Sequence, residues 1–284
     1  MKVILLADAV EFLDRTRAFR SQEPYLTNVM GSTATSVAAG LRSYEKMSWW
    51  VVEDDAGTVR AMMMRTAPHN LVLSPMPLEA VDAAAAAVAV HDPGIPGLSG
   101  SKMLVETFLA KFSDLCHQEL QGEIERTLLV YVLGTLKPPP RGPGTWRRAT
   151  ASDFDFLLTW WRGFADDTGV ERHGLKEGLE ASLNDGRVYV WIDGDQAVCA
   201  VGHSPIVDVP SGSVARIGPV YTPPEMRRRG YAGQLTGAVS AHLLEQGRGL
   251  MLFTDAANAT SNGVYTRLGY EKVDEIVECA VKPV

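Results

Sequence analysis

The stretch from Lys137 to Gly144, KPPPRGPG, constrains this chain more than any other segment. Each proline fixes its own φ and has no N–H to offer a helix or a ladder. Three in a row, followed by Gly-Pro-Gly, can neither continue a helix nor lie in a central strand. The segment reads as an extended linker, 137–144. It divides the 284 residues into a first half, 1–136, and a second half, 145–284, each of ordinary domain size.

Composition limits what the halves can do. Hydrophobic residues make up 46% and charged residues 21%, a globular balance. A net charge of −7 lacks the basic surplus that binding a phosphate backbone needs, so nucleic acid is not an expected partner. Cys116, Cys199 and Cys279 are odd in number and widely spaced, which points to neither a zinc site nor a disulfide framework. The apolar start MKVILL is broken at Asp8, too early for a signal sequence, and the run Ala83–Val90 is far too short to span a bilayer. The expectation is a metal-free protein of a reducing compartment, cytoplasmic, without a membrane partner.

The second half alternates two periods. Thr145–Ala149 suits a short strand, and Ser152 signals the start of a helix through Phe164. A second helix is expected near Leu175–Leu183. Val188–Ile192 and Ala197–His203 read as a hairpin about Asp193-Gly194-Asp195, followed by a strand Val214–Tyr221 that ends at Pro223-Pro224. Gly230–Glu245 is helical, Leu250–Thr254 a strand, Ser261–Leu268 a helix, and Val273–Val281 closes in β form. This order implies an α/β fold with a mixed (α+β) sheet.

The first half repeats the order more weakly. Trp49–Glu53 and Val59–Arg65 flank a turn, then come a strand candidate Asn70–Leu73, the prolines Pro75 and Pro77, and an Ala-rich helix Glu79–Val90. Trp49-Trp50 and Trp160-Trp161 should each turn one ring inward. Met62–Met64 should fill core.

Chemistry concentrates in ARIGPVYTPPEMRRRGYAGQL, Ala215–Leu235. A strand, a turn and a helix enclose Arg227 to Ala232, which fits Arg/Gln-x-x-Gly-x-Gly/Ala. Gly230 permits a tight turn that aims successive N–H groups at one anion, and the helix adds its free donors and positive dipole end. Ala232 leaves room for a diphosphate. Arg227, Arg228 and Arg229 add charge. Downstream, LFTDAANATSNGVYTRLGY places Asn258, then Tyr265, then Leu268-Gly269-Tyr270 after a strand. The first half has PMPLEAVDAAAAA where this cradle would fall, with neither the arginines nor the glycine.

With both blocks in order, the segment from about Arg147 to Val281 resembles the GNAT N-acetyltransferase superfamily, and TDAANATSNGVYTRLGY is similar to a two-domain subgroup of it. The resemblance implies tandem GNAT-like domains, the second intact and the first degenerate. It implies acetyl-CoA or another acyl-CoA in a V-shaped cleft, with the pantetheine pairing to the backbone of Val220 and Tyr221. The diphosphate would lie on the backbone amides of Arg228–Gly233, Tyr231 and Ala232 included, with Arg227 in the same cofactor site. Asn258, with Ser261 beside it, would reach the pantetheine and Tyr265 the sulfur. Tyr265 is the expected general acid for the departing thiolate. The general base stays open among Asp166, Asp167, Glu171, His173, His203 and water. The acidic residues lie in a polar break between two helices and could instead bind a cationic amine. The acceptor would be a small-molecule or peptide amine, a homodimer is left open, and the competing reading is a non-catalytic acyl-CoA sensor or scaffold.

Overall fold

The computed structural model describes residues 1–140, 142–170 and 174–284. The first half runs β1 (Lys2–Leu6), α1 (Ala9–Arg15), α2 (Arg17–Gln22), α3 (Asn28–Ala38), β2 (Met47–Glu53), β3 (Val59–Thr66), β4 (Leu71–Leu73), α4 (Leu78–His91), β5 (Gly97–Gly100), α5 (Lys102–Cys116) and β6 (Leu120–Leu133). The second continues with β7 (Thr145–Arg148), α6 (Phe154–Thr168), α7 (Leu175–Asn184), β8 (Val188–Asp193), β9 (Gln196–His203), β10 (Val207–Val209), β11 (Gly212–Tyr221), α8 (Tyr231–Glu245), β12 (Arg248–Asp255), α9 (Ala259–Leu268) and β13 (Tyr270–Pro283). The elements expected from periodicity are all present within a few residues. β1, β5, α5, β6 and β10 are additions.

All these strands join one mixed sheet, in the order β1-β2-β3-β4-β5-β13-β6-β12-β11-β9-β8-β7, with β10 beside β11. Read from either edge, the order is the same motif twice. Each half has one parallel pair, β4 with β5 and β11 with β12. At the centre the halves exchange their last strands. β6, from the first half, pairs with β12, and β13, from the second, pairs with β5. β6 and β13 then run antiparallel to each other from Tyr270 opposite Leu133 to Pro283 opposite Leu120. Each half therefore completes its sheet with a strand of the other.

Helices cover both faces, which explains one correction. Trp49 is 2% exposed, packing with Phe12 and Met30, while Trp50 is 1% exposed, packing with Val81 and Phe108 on the opposite face. Both rings turn inward because β2 has no solvent side, so the expected in–out alternation is erased. Trp161 is buried and Trp160 only half-buried, as expected for that pair. Met62, Met63 and Met64 are core.

The start of α6 is also corrected. A 3-10 turn, Ala151–Asp153, leads into it, and Thr150, not Ser152, caps that turn, its side chain and that of Asp153 forming a capping box. Asp153 also receives two hydrogen bonds from Arg147, at 2.6 and 2.8 Å, which fasten β7 to the helix. α6 then continues to Thr168 and stops at Gly169, whose φ of +66° suits glycine. Asp166 and Asp167 are thus helical rather than part of a polar break.

The described residues of the Pro/Gly segment form no helix or strand, yet they are fastened down. Lys137 N donates to Leu268 O at 2.9 Å, Gly142 N to Gln234 Oε1 at 3.0 Å, and Trp191 Nε1 to Pro143 O at 3.0 Å. It lies against α8 and α9, where Pro139 packs at Gly237.

Candidate functional site

β11 and β12 diverge, and the site begins there. Their parallel pairing runs from Ser213 opposite Arg248 to Ile217 opposite Leu252 and then stops. Beyond it, Phe253, Thr254 and Asp255 pair with β6, while Val220 and Tyr221 pair with β9 after a register shift. The edge of Val220 and Tyr221 that faces β12 has no ladder partner there. This opening leads into a cleft of about 2500 Å³ between the halves, large enough for more than one ligand.

At the mouth of the opening, α8 begins without a side-chain cap. Gly230 is its cap residue at φ +83°, and Arg228 also has a left-handed φ, +65°. A Cβ on Gly230 would approach nothing closer than Gln234 Nε2 at 3.8 Å, so the glycine is required by its backbone angle rather than by crowding. The first helical bond is Gln234 N to Gly230 O, at 3.1 Å. The N–H groups from Arg228 to Gly233 therefore have no acceptor among the described residues, which makes them a concave set of free donors at a helix N-terminus. No acidic residue occupies that first turn.

The three arginines have different surroundings. Arg227 donates from Nε to Thr222 O at 2.9 Å, pairs with Asp167 and lies 5.7 Å from the centroid of Tyr221. Arg229 donates to Glu225 O at 3.3 Å and does not line the cleft. Arg228 lines it, is exposed, and has no side-chain partner among the described residues. The Tyr231 phenol is tied to Asp193, so that residue offers only its backbone amide. Ala232 and Gly233 line the cleft at the helix start.

Tyr265 projects from α9 into the same opening. It is 8% exposed and packs edge-on to Tyr270 at 6.1 Å. Burial raises its pKa above the ordinary phenol range, and Tyr270 and Cys199 beside it add to the effect. The phenol therefore stays protonated. Cys199 accepts from Thr222 Oγ1 at 3.3 Å, and burial pushes its thiol up to about 12, which keeps it an inert thiol. Asn258 lines the cleft but caps α9, its Oδ1 accepting from Ser261 N at 3.0 Å, so only its Nδ2 is left to meet a ligand. Ser261 lines the cleft beside it.

Residues 209–278 match the family model described as FR47-like protein. No curated protein sequence matches the chain. Among solved structures, an acetyltransferase from the GNAT family of Colwellia psychrerythraea superposes over 99% of this chain and 100% of its own, with a TM-score of 0.60 at 12% identity. A GCN5-related N-acetyltransferase from Sphaerobacter thermophilus matches over 99% and 95%, with 0.57 at 12%. A tandem GNAT protein from the clavulanic acid biosynthesis pathway matches over 99% and 98%, with 0.58 at 11%. The fold is a tandem GNAT fold.

Within this tandem GNAT fold the nominated bases fall apart. Asp167 is paired with Arg227, and Asp166 is exposed on α6 and does not line the cleft. Glu171 and His173 lie outside the described residues. His203 lines the cleft on a central rather than an edge strand, 7% exposed, with Nδ1 donating to Ser204 O at 2.7 Å. Burial lowers its pKa to about 4, and the nearby Arg187, Arg148 and His242 add to the effect, so it is a neutral and weak base.

Other walls escaped the sequence reading. The exchanged strands bring Glu125, and Arg126 paired with Glu278, to the cleft, and Arg126 Nη1 also donates to Thr168 O at 2.6 Å. Arg216 lines it as well, and it had a signal: it is the one charged side chain in the strand GSVARIGPVY. Among the described residues no cluster suits a metal ion, and no helix is long and apolar enough to cross a membrane.

Proposed function

We propose that the second half transfers a short acyl group, acetyl in the simplest case, from acyl-CoA to an amine. The observation that carries this reading is the row of unpaired N–H donors from Arg228 to Gly233 at the mouth of an opened sheet that holds a protonated phenol. The donors suit a diphosphate, Arg228 suits a further phosphate, and the free edge of Val220 and Tyr221 suits a pantetheine amide. Asn258 Nδ2 and Ser261 stand along the same path.

The amine must lose a proton before it attacks, since an alkylammonium has a pKa near ~10.4. Its nitrogen then bonds to the thioester carbon, the C–S bond breaks, and the sulfur leaves as thiolate. Tyr265 gives its phenolic proton to that sulfur, and the second proton, which the nitrogen sheds as the amide forms, returns to the phenolate through water. Burial keeps the Tyr265 phenol protonated, so it has a proton to give. Water, or a residue of the acceptor wall, removes the amine proton.

We keep the division into 1–136, 137–144 and 145–284 as our functional reading: the cradle belongs to the second part, and the first is degenerate as a cofactor site. One observation favours a sensor instead. Each described base candidate is paired, outside the cleft, or, like His203, far too weak. Incubating the protein with acetyl-CoA and a panel of amines, and reading free thiol, separates the two. Amine-dependent thiol release supports the transferase, and acetyl-CoA binding without release supports the sensor.

A further inference from the structure

Arg216 lies half-buried in the wall of the cleft, without a counter-charge among the described residues. Its Nη1 donates to Asn28 Oδ1 at 3.1 Å and Ser32 Oγ at 3.4 Å, both on α3 of the first half. Its guanidinium carbon lies 6.0 Å from the centroid of Phe253. These partners are all neutral, and among the described residues no carboxylate pairs with it. Asn28 is itself fully buried, and its Nδ2 has no partner.

A second cation shares this wall. Arg42, after α3, crosses to the second half, where a Cβ on Gly178 of α7 would meet its Nη2 at 3.1 Å. It donates to Tyr44 Oη at 3.4 Å and likewise has no carboxylate partner among the described residues. Burial lowers the Arg216 pKa to about 10, and the charge on Arg42 adds to the shift. Placing two guanidiniums in one concavity, one of them desolvated, is unfavourable until an anion joins them. A guanidinium fork matches the two oxygens of a carboxylate or phosphate.

We propose that Arg216 and Arg42 bind an oxyanion, carboxylate or phosphate, carried by the acceptor amine. The inference rests on the acyl-transfer reading and narrows its acceptor from any amine to one with an anionic group. It also gives the first half a function, since Asn28, Ser32 and Arg42 all come from it. Acidic residues could instead have held a cationic amine, but Asp167 is engaged by Arg227.

The test is calorimetry on the full chain saturated with CoA. The probes are N-acetyl-amino acids, the matching N-acetyl-amino-acid amides, and N-acetyl-O-phosphoethanolamine as the phosphate arm. Hydrogen bonds to a charged partner predict that an acid binds about tenfold to a hundredfold more tightly than its amide. Whichever arm shows the larger gain identifies the anion. Arg216→Gln should abolish the gain. Arg42→Gln, at an exposed position, should reduce it several-fold even if Arg216→Gln fails to fold. No gain of the acids over their amides and none of N-acetyl-O-phosphoethanolamine over N-acetylethanolamine, including no binding of any probe, overturns the proposal. So does binding of the acids to the CoA-free chain that the CoA-saturated chain loses, which would assign the arginines to a cofactor phosphate. Failure of the underlying reading looks different: acids would bind in preference to amides, yet no amine would release thiol from acetyl-CoA.

Discussion

The two halves start the same helix in different ways, and this comparison explains why we assign the cofactor to only one of them. In the second half, α8 follows a turn with left-handed residues at Arg228 and Gly230, and its first N–H groups stay free. In the first half, α4 follows Pro75 and Pro77, which carry no N–H, and Pro77 is the cap residue. Ala80 N already bonds to Pro77 O at 2.9 Å, and Glu79 puts negative charge in the first turn. An anion would meet few donors and a repelling carboxylate there.

The parallel strands differ in the same sense. β11 leaves β12 after Ile217, whereas β4 and β5 stay closed: a Cβ on Gly100 would lie 3.3 Å from that of Leu73. Ser74 N continues the β4 ladder to Met62 O at 3.0 Å. Where α9 carries Tyr265 at its seventh residue, α5 carries Phe108, fully buried. The first half has kept the architecture and filled the site.

Substitutions that make the second half resemble the first should break activity in graded steps. Tyr265→Phe copies Phe108 and has the largest expected effect. Ring packing is retained and the proton is lost, so kcat should fall by about 10²–10⁴-fold with little change in KM. Steady-state kinetics with separate acetyl-CoA binding checks this, and an unchanged kcat would remove Tyr265 from the mechanism.

His203→Thr copies Thr66, the last residue of β3. His203 has a folded pKa lowered to about 4 against the ordinary value of 6.5, so the folded state disfavours its proton. The neutral ring's contribution is complete above pH 6.5 and is lost as pH falls from there toward 4. That amounts to about 2 kcal/mol at pH 5. Urea unfolding at pH 7 and pH 5 should show the loss in the parent chain and a flatter profile in the variant.

Gly230→Val forces a β-branched residue to a left-handed angle, at a cost of about 1–2 kcal/mol, or displaces the turn. Acetyl-CoA affinity should fall by about tenfold or more, and normal binding would mean the cradle is misassigned. Arg228→Ala removes one exposed side chain and leaves the backbone donors, so the loss should be a few-fold and shrink at higher salt.

Much of this fold was legible because its elements are local. The hairpins, α8 and the cradle follow from period, turn residues and Gly230, which short segments specify. The strand exchange was not legible, since the pairing of β6 with β12 and of β13 with β5 is set by distant chain, not by local pattern. The burial of both Trp49 and Trp50 depends on helices that cover the second face. Asn258 was read as a ligand group alone, although an Asn just before a helix also caps it. The wall we assign to the acceptor was the least legible part, because Arg42, Asn28 and Arg216 meet only once the halves share one sheet.

The central claim is that one half of this pseudo-symmetric sheet holds acyl-CoA and the other does not. Calorimetric titration of the full chain with acetyl-CoA tests it directly. One acetyl-CoA per chain, with that single site weakened by Gly230→Val, is the predicted result. Two equivalent sites per chain, or a site that survives Gly230→Val unchanged, would contradict it.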